Sequence, residues 1–241
     1  MSYLLLEDGS VFPSRSVGAD AIAYGEAVFT TAMSGYQEIV TDPSYAEQLV
    51  CFTAPMIGNY GVAPMRSESD GPHARAVLMR RATGTAWTRW LAARSVVALD
   101  GIDTRSLVLH LRERGAMRAA AVAGDASRVH VLARIHAQES MEGRSLVAGV
   151  STTEPYTVGM SGMRVTVVDY GCKRSIVARL VAAGACVKVV PHDTTAEAIL
   201  ADAPEGIVLS NGPGDPAALP AETKVVSRLL GRVPILGICL G

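Results

Sequence analysis

Residues 163–190 read MRVTVVDYGCKRSIVARLVAAGACVKVV, and this stretch decides the fold class of the second half of the chain. The valine-rich runs Arg164–Asp169 and Cys186–Val190 predict two buried strands, and Lys173–Ala183 predicts the helix between them. A strand, a helix of about ten residues and another apolar strand are typical of a parallel pair with a right-handed crossover. The stretch therefore predicts a parallel α/β sheet.

The alternation of helices and strands continues to the last residue of the sequence. Two more helices and two more strands are predicted in turn, at Thr195–Ala201, Gly206–Leu209, Ala221–Leu230 and Pro234–Ile238. In a doubly wound sheet of this kind, ligands bind outside the carboxyl ends of the strands. We therefore expect the function of this half to lie in three loops, at Tyr170–Gly171, Ser210–Pro216 and Cys239–Gly241.

The first half of the chain has no such regular alternation. The segment Tyr3–Phe12 predicts a hairpin that turns at Asp8-Gly9, and SGYQEIVTDPSY at 34–45 is one of several segments interrupted by turn residues. A helix is predicted after Asp103 and ends near Gly115. These signals predict a mixed β/α domain over 1–150, a linker rich in Ser, Thr, Gly and Pro over 151–162, and the parallel-sheet domain over 163–241.

The composition predicts a folded protein with a net charge close to zero. Hydrophobic residues make up 49% of the chain and charged residues 19%, which is enough material for a packed core. No apolar run approaches the roughly 18 residues of a membrane span, and the N-terminus does not resemble a secretory signal. The net charge of −1 argues against a nucleic-acid or membrane partner held by bulk electrostatics.

The four cysteines show no CxxC pair and no histidine at metal-ligand spacing. A disulfide framework or a metal site is therefore not expected, and a reduced cytoplasmic protein is the default. Cys51 and Cys186 lie in apolar strand patterns and are predicted to be core residues. Cys172 is assigned no role.

The fourth cysteine, Cys239, lies in Gly237-Ile238-Cys239-Leu240-Gly241, directly after a predicted buried strand. A Gly-x-Cys-x-Gly in that position is the thiol version of the nucleophile elbow, a sharp turn that lifts a nucleophile above the sheet. The residue after the nucleophile then offers its N–H to a developing oxyanion. The same letters are also compatible with a buried core cysteine beside incidental glycines.

A second loop, Ser210-Asn211-Gly212-Pro213-Gly214-Asp215-Pro216, follows the predicted strand Gly206–Leu209. Its two glycines and two prolines predict a rigid loop with accessible N–H groups, suited to an oxyanion or a carboxylate. An ordinary turn between a strand and a helix remains the alternative. A phosphate loop is disfavoured, because no Gly-Lys-Ser/Thr follows.

Together the two loops resemble those of class I glutamine amidotransferases, and the whole chain resembles the small subunits of carbamoyl-phosphate synthetases. The resemblance covers nearly all 241 residues. It rests on LEDGSVFPSRSVGA near the start, GEAVFTTAMSGYQEIVTDPSYAEQLVCFTAPMIGNYG at 25–61, GIDTRSL at 101–107, VVDYGCKRSI at 167–176, LSNGPGDPA at 209–217 and GICLG at 237–241.

The resemblance implies a role for five residues. Cys239 would be the nucleophile that attacks the side-chain amide of glutamine, forming a glutamyl thioester and releasing ammonia. The N–H groups of Gly212 and Leu240 would form the oxyanion hole and bind glutamine together with Gly214. Ser44 would reach the α-amino-acid end of glutamine from the N-terminal domain. Asp169 and Lys173 are assigned to structure only.

The resemblance also implies partners. Ammonia would pass through a tunnel to a separate large subunit, where ATP, Mg and bicarbonate are used to make carbamoyl phosphate for pyrimidine and arginine synthesis. No cofactor and no metal are expected in this subunit. An amidotransferase that feeds anthranilate or guanylate synthesis is an alternative, but the N-terminal half with its TDPSY segment argues against it.

The sequence departs from the family pattern at its end. It stops at Gly241, whereas the family has a further helix, further strands and a downstream His and Glu that complete the catalytic triad. The five histidines of the chain match none of these positions. We therefore expect the 241 residues by themselves to be inactive, an incomplete amidotransferase domain that could act as a docking module for the large subunit.

Overall fold

The structure is a computed structural model that describes residues 1–241. It divides into two compact units, Met1–Ser140 and Met141–Gly241. No helix in it combines the length and apolar character that crossing a membrane requires.

The first unit is built on a closed barrel of seven strands. These strands are β1 (Ser2–Leu6), β2 (Val11–Ser16), β3 (Ile22–Thr30), β4 (Gln48–Phe52), β5 (Ala76–Met79), β6 (Val97–Asp100) and β7 (Met117–Val122). Their order around the barrel is β1-β2-β6-β5-β4-β3-β7, and β7 closes it by pairing antiparallel with β1. The neighbours β3, β4, β5 and β6 run parallel to one another.

Four helices surround or plug this barrel: α1 (Tyr36–Thr41), α2 (Thr85–Ala92), α3 (Thr104–Arg114) and α4 (Arg128–His136). Successive residues of a strand face opposite sides, so β4 contributes to two cores. Leu49 and Cys51 pack in one cluster with Leu107 of α3, while Val50 and Phe52 pack in another with Trp87 of α2. Because both faces are buried, this strand lacks the polar alternation that a half-exposed strand shows.

Two predicted features of this unit are confirmed. The segment after Leu6 turns at Asp8-Gly9, where the Gly9 N–H donates to Leu6 O at 3.0 Å, and β1 pairs antiparallel with β2. The side chain of Asp103 accepts a hydrogen bond from the Ser106 N–H at 3.1 Å and so caps α3. The helix then ends before Gly115, as expected.

The segment 34–45, predicted to be broken by turns, also contains the short helix α1. Tyr36 is 1% exposed, and its ring stacks on Tyr60 at a centroid distance of 4.2 Å. The Gln37 amide donates to Ala63 O at 2.8 Å and its oxygen accepts from the Ala63 N–H at 2.9 Å. Contacts distant in sequence thus stabilise a helix too short to be recognised from local pattern.

The second unit is a five-stranded sheet with helices on both faces. Its elements are β8 (Tyr156–Val158), β9 (Met163–Asp169), α5 (Arg174–Ala182), β10 (Ala185–Pro191), α6 (Ala196–Ala201), β11 (Gly206–Leu209), α7 (Pro220–Leu229) and β12 (Ile235–Gly237). The strand order is β12-β11-β9-β10-β8, and all pairs are parallel except β8 with β10.

Helices α6 and α7 cover one face of this sheet, and α5 covers the other. Ile199 and Leu229 pack on the first face, whereas Val177 packs with Val167 and Val187 on the second. This arrangement confirms the doubly wound α/β fold, with each predicted element within about one residue of its observed bounds. Cys186 does not belong to either core: it is half-buried, and its thiol contacts Gly159 O at 3.5 Å.

The structure places the division between units before the predicted linker. Val147 is fully buried in the core of the second unit, and Ser145 forms an isolated bridge with Gly214. Residues 151–162 contain β8, which pairs along the exposed edge of β10. The three residues of β8 are too few to show the alternation of a strand in the sequence. They are extended because they pair with the unpaired edge of β10.

Candidate active site

Three loops meet at the carboxyl edge of the parallel sheet, after neighbouring strands. They are Tyr170–Lys173 after β9, Ser210–Pro216 after β11 and Ile238–Gly241 after β12. These are the loops in which the sequence predicted function. Hydrogen bonds between the loops, together with Gly237 and Gly212, determine their geometry.

Cys239 lies in the last of these loops, is exposed, and has φ +57°. This left-handed conformation costs a residue with a Cβ about 1–2 kcal/mol, so it needs support from its surroundings. The Ile238 N–H donates to Leu209 O at 3.0 Å, and the Gly241 N–H donates to Ser210 O and Ile238 O, both at 3.2 Å. These bonds hold a tight turn after β12 with Cys239 at its tip.

Gly237 allows that turn to close. A Cβ on Gly237 would lie 2.5 Å from the Gly241 oxygen, closer than any real Cβ contact. A sharp turn after a strand, a strained nucleophile-type residue and a glycine two residues before it are the features of a nucleophile elbow. A buried core cysteine, the alternative left open by the sequence, does not describe this position.

Gly212, in the loop Ser210–Pro216, lies against the loops that contain Tyr170 and Leu240. A Cβ there would lie 2.8 Å from the Tyr170 carbonyl carbon and 2.9 Å from Cδ2 of Leu240. Gly212 is buried, and the Leu240 side chain is half-buried against it. The structure therefore brings Gly212, Leu240 and Cys239 into one small region, with no room for a larger residue at 212.

The N–H groups of Gly212 and Leu240 both stay outside the backbone hydrogen bonds that hold these loops. A free N–H at the residue after a nucleophile is a donor suited to a tetrahedral oxyanion. Both N–H groups are therefore available as hydrogen-bond donors.

Ser210 and Asn211 fix the second loop to the first, and sequence analysis gave them no role. The Ser210 hydroxyl accepts from the Tyr170 N–H at 2.9 Å, and the Asn211 amide donates to Gly171 O at 2.9 Å. Asn211 Oδ1 also accepts from the Lys173 N–H at 3.2 Å. Ser210 and Asn211 are 0% and 3% exposed, so these bonds form a buried polar brace.

Asp169 completes the brace, in keeping with its structural assignment. One carboxylate oxygen accepts from the N–H groups of Gly171 at 2.8 Å and Cys172 at 2.6 Å. The other accepts from the Thr152 N–H at 2.8 Å. The two middle N–H groups of the loop Tyr170–Lys173 are thus bound to a buried carboxylate at the end of β9.

Gly214 and Asp215 are supported by the segment 143–145 of the same unit. The N–H groups of Gly143 and Ala217 donate to the two carboxylate oxygens of Asp215 at 2.8 and 2.9 Å. These bonds, first that from Gly143 and then that from Ala217, lower the pKa of Asp215 below its usual 3.8. An ionised Asp215 therefore holds the end of this loop.

Ser44 belongs to the first unit and lies in a one-turn 3₁₀ helix, Pro43–Tyr45, between α1 and β4. The Asp42 carboxylate accepts from the Ser44 N–H at 2.9 Å and so caps the turn. Ser44 itself is half-buried.

His192 forms a pair that the sequence did not predict. Its Nδ1 lies 2.9 Å from Glu222 Oε1, and both side chains are largely buried, with 20% and 13% exposure. Burial, and secondly the charge of Glu222, raise the pKa of nearby Tyr170 to about 12.

The hydrogen-bond partner of His192 is Glu222 of α7 rather than the thiol. His192 follows β10, which is separated from β12 by β9 and β11. Three strand spacings put the backbones of β10 and β12 about 14 Å apart.

Comparison with known proteins agrees with this architecture. Residues 4–121 match the family described as carbamoyl-phosphate synthase small chain, CPSase domain, and residues 166–241 match glutamine amidotransferase class-I. The chain is similar to proteins named carbamoyl phosphate synthase small chain from Parasynechococcus marenigrum (41% identity, 100% of this chain, 69% of the relative), Halobacterium salinarum (45%, 100%, 68%) and Oceanobacillus iheyensis (40%, 99%, 67%). It spans about two thirds of the length of each.

Proposed function

Because the chain belongs to the carbamoyl-phosphate synthase small-chain family, we propose that it provides the glutamine-hydrolysing site of such a synthase, with Cys239 as nucleophile. The observation that carries the proposal is the cysteine at φ +57° on a tight turn after β12. Neither burial nor packing explains a strained cysteine at a sheet edge, whereas nucleophilic chemistry does.

In the proposed reaction the Cys239 sulfur attacks the side-chain amide carbon of glutamine. The carbonyl oxygen becomes an oxyanion, which the N–H groups of Gly212 and Leu240 stabilise. Collapse breaks the carbon–nitrogen bond, and the thiol proton leaves with the amine as ammonia. Water then hydrolyses the glutamyl thioester and regenerates the thiol.

The base that moves the thiol proton is proposed to be a histidine outside residues 1–241, paired with a glutamate, as in the family. His192 is not proposed for this step, because it matches no catalytic position of the family and is hydrogen-bonded to Glu222. Gly214 and Ser44 are proposed to bind glutamine, Ser44 at its α-amino-acid end. Ser44→Ala should then weaken glutamine binding and leave ammonia-dependent synthesis unchanged, whereas loss of both activities would indicate a folding defect.

The ammonia is proposed to pass to a large subunit that uses ATP, Mg and bicarbonate, so that this subunit needs no cofactor of its own. Docking on that subunit does not require the thiol. The Cys239→Ser chain is therefore expected to co-purify with a large subunit as wild type does. Failure of both to associate would contradict the docking role.

The nucleophile is tested by labelling with the chloroketone analogue of glutamine, in the chain and in the protein expressed from its complete gene. The thiolate displaces chloride and forms a carbon–sulfur bond that peptide mass mapping locates. We expect the label on Cys239, protection by glutamine, and no label in Cys239→Ser. The matched control Cys186→Ser, a half-buried thiol of the same unit, should label as wild type does.

Labelling that persists in Cys239→Ser would refute Cys239 as the nucleophile. Labelling of Cys172 or Cys186 at the same rate as Cys239 would refute it as well. Glutamine hydrolysis by the 241 residues above the Cys239→Ser background would contradict the expectation that they are inactive by themselves. Equal rates of glutamine hydrolysis for the 241 residues and for Cys239→Ser would agree with a docking module that has no activity by itself.

A further inference from the structure

A cleft of about 700 Å³ lies at the mouth of the barrel in the first unit. Its walls include Ile22–Tyr24 of β3, the residues that lead into β5 and β6, and the last turns of α4. The cleft exists because β3 extends beyond its neighbour. Strand β4 pairs with β3 only from Glu26 onwards, so no strand pairs with residues 22–25 on that side.

The charged lining of this cleft is entirely basic. Arg75, Arg94 and Arg134 line it, and no Asp or Glu does. The chain as a whole has a net charge of −1, so this clustering does not reflect a generally basic protein. Concave surfaces lined by one sign of charge raise the local concentration of ions of the opposite sign.

Arg75 is partly neutralised, and the other two arginines are not. Arg75 pairs with Glu47 at 2.8 Å and donates to Tyr24 O at 2.9 Å. Arg94 and Arg134 form no ion pair within 4 Å. His73, also in the lining, adds no charge at neutral pH, because burial lowers its pKa below the usual 6.5.

Aromatic rings hold the two unpaired guanidinium groups in place. The Arg134 guanidinium lies over the Tyr24 ring, 4.8 Å from its centroid, and that of Arg94 lies over the Trp90 ring at 4.5 Å. Stacking on a ring orders the side chain before any ligand arrives and leaves the N–H edge of the guanidinium available. A preformed, planar fork of donors matches the oxygens of phosphate in a bidentate manner.

We propose that this barrel mouth binds a phosphorylated small molecule through Arg94 and Arg134. The volume lies in the range of small-molecule sites, about 300–1,000 Å³, and mouths of barrels are frequent places for them. The cleft is larger than a bare phosphate needs, so the ligand carries an organic part or a second phosphate. The stacked arginines cover the two aromatic faces, so phosphate oxygens rather than a stacked base supply the main contact.

The site is tested with sodium pyrophosphate as the probe, by isothermal titration calorimetry on the full chain at constant ionic strength. We expect one equivalent to bind and Arg94→Gln/Arg134→Gln to weaken binding about tenfold or more, because charge-assisted hydrogen bonds to phosphate are lost. The matched control is Arg105→Gln/Arg112→Gln. It removes the same charge from a different cleft, of about 350 Å³, on α3.

Circular dichroism and urea unfolding establish that both double variants are folded. Binding that falls in Arg94→Gln/Arg134→Gln and is retained in the control supports the site. The proposal would be overturned if pyrophosphate did not bind to the wild-type chain. It would also be overturned if both double variants lost affinity equally, or if neither changed the affinity. Binding of a hexaglutamate peptide in preference to pyrophosphate would also overturn it and identify the cleft as a surface for an acidic protein segment.

Discussion

Gly212→Ala is expected to damage the proposed site more than its single added methyl group suggests. The new Cβ would lie 2.8 Å from the Tyr170 carbonyl carbon and 2.9 Å from Leu240 Cδ2, where ordinary contacts begin near 3.4 Å. The Tyr170 carbonyl oxygen would lie closer still, so one of the two loops must move by more than a small side-chain adjustment allows. The Leu240 side chain can rotate away, but the Tyr170 carbonyl is backbone.

The hydrogen bonds around Gly212 determine the size of the effect. Ser210 is bonded to the Tyr170 N–H, and Asn211 to Gly171 O and the Lys173 N–H, so the loops cannot separate without weakening buried bonds. Overpacking of this kind costs about 1–3 kcal/mol of unfolding free energy. Displacement of one oxyanion donor lowers the rate of such reactions by about 10²–10³-fold.

The assay has two readouts and one matched control. Urea unfolding measures the free energy of unfolding, and chloroketone labelling of Cys239 measures the rate at which the thiol reacts in the site. Gly206→Ala is the control, because Gly206 begins β11, the strand that leads to this loop, and its Cβ would meet Met163 Cε at an ordinary 3.5 Å. We expect that control to retain both stability and labelling rate.

A Gly212→Ala chain with wild-type stability and wild-type labelling rate would refute the reasoning. A loss of stability without a slower labelling rate would show that the loop is packed as described and that the Gly212 N–H is not part of the site. Equal damage in Gly206→Ala would show that any methyl group on this strand is harmful.

Three further predictions follow from buried or bonded side chains. The low pKa of Asp215 means that its contribution to stability is complete above about pH 3.8 and is lost as the pH falls through the lower folded value, so the deficit of Asp215→Asn in urea unfolding should shrink below that pH. Burial raises the pKa of Cys51 to about 12, so iodoacetamide should label Cys239 and spare Cys51 until urea unfolds the chain. A double-mutant cycle of His192→Ala and Glu222→Ala should give a coupling free energy of about 1 kcal/mol.

Each of these has an outcome that contradicts it. An Asp215→Asn deficit that is independent of pH would show that the carboxylate charge does not matter. Labelling of Cys51 in the native chain at the rate of Cys239 would contradict its burial, and additive effects of the two substitutions at His192 and Glu222 would show that the pair is not coupled.

The sequence predicted the second unit well because its strands carry a strong local signal. Valine-rich runs of four to seven residues, each followed by a helix of suitable length, admit few arrangements other than a parallel sheet. Once β9, β11 and β12 are parallel, their carboxyl ends share one edge. The neighbourhood of Ser210–Pro216 and Cys239–Gly241 therefore follows from the strand pattern.

The barrel of the first unit could not be predicted in this way. Its closure depends on β1 pairing with β7, with Leu4 opposite Ala121, across most of the length of that unit. Strand β4 is buried on both faces, so it shows no alternation of polar and apolar residues. Register between strands distant in sequence is a property of packing, and no local pattern contains it.

The same distinction applies within the proposed site. Taken alone, the letters of Gly-x-Cys-x-Gly are compatible with a core cysteine and with a nucleophile, and in the sequence only the resemblance of the whole chain to amidotransferase subunits favours the nucleophile. The left-handed φ of Cys239 supports the proposed nucleophile, since packing alone gives no reason to hold a side chain in a conformation that costs about 1–2 kcal/mol. That conformation is maintained by hydrogen bonds to the carbonyl oxygens of Leu209 and Ser210, which lie on a different strand and loop. The backbone conformation of this cysteine therefore depends as much on the neighbouring SNGPGDP segment as on the residues that flank the thiol.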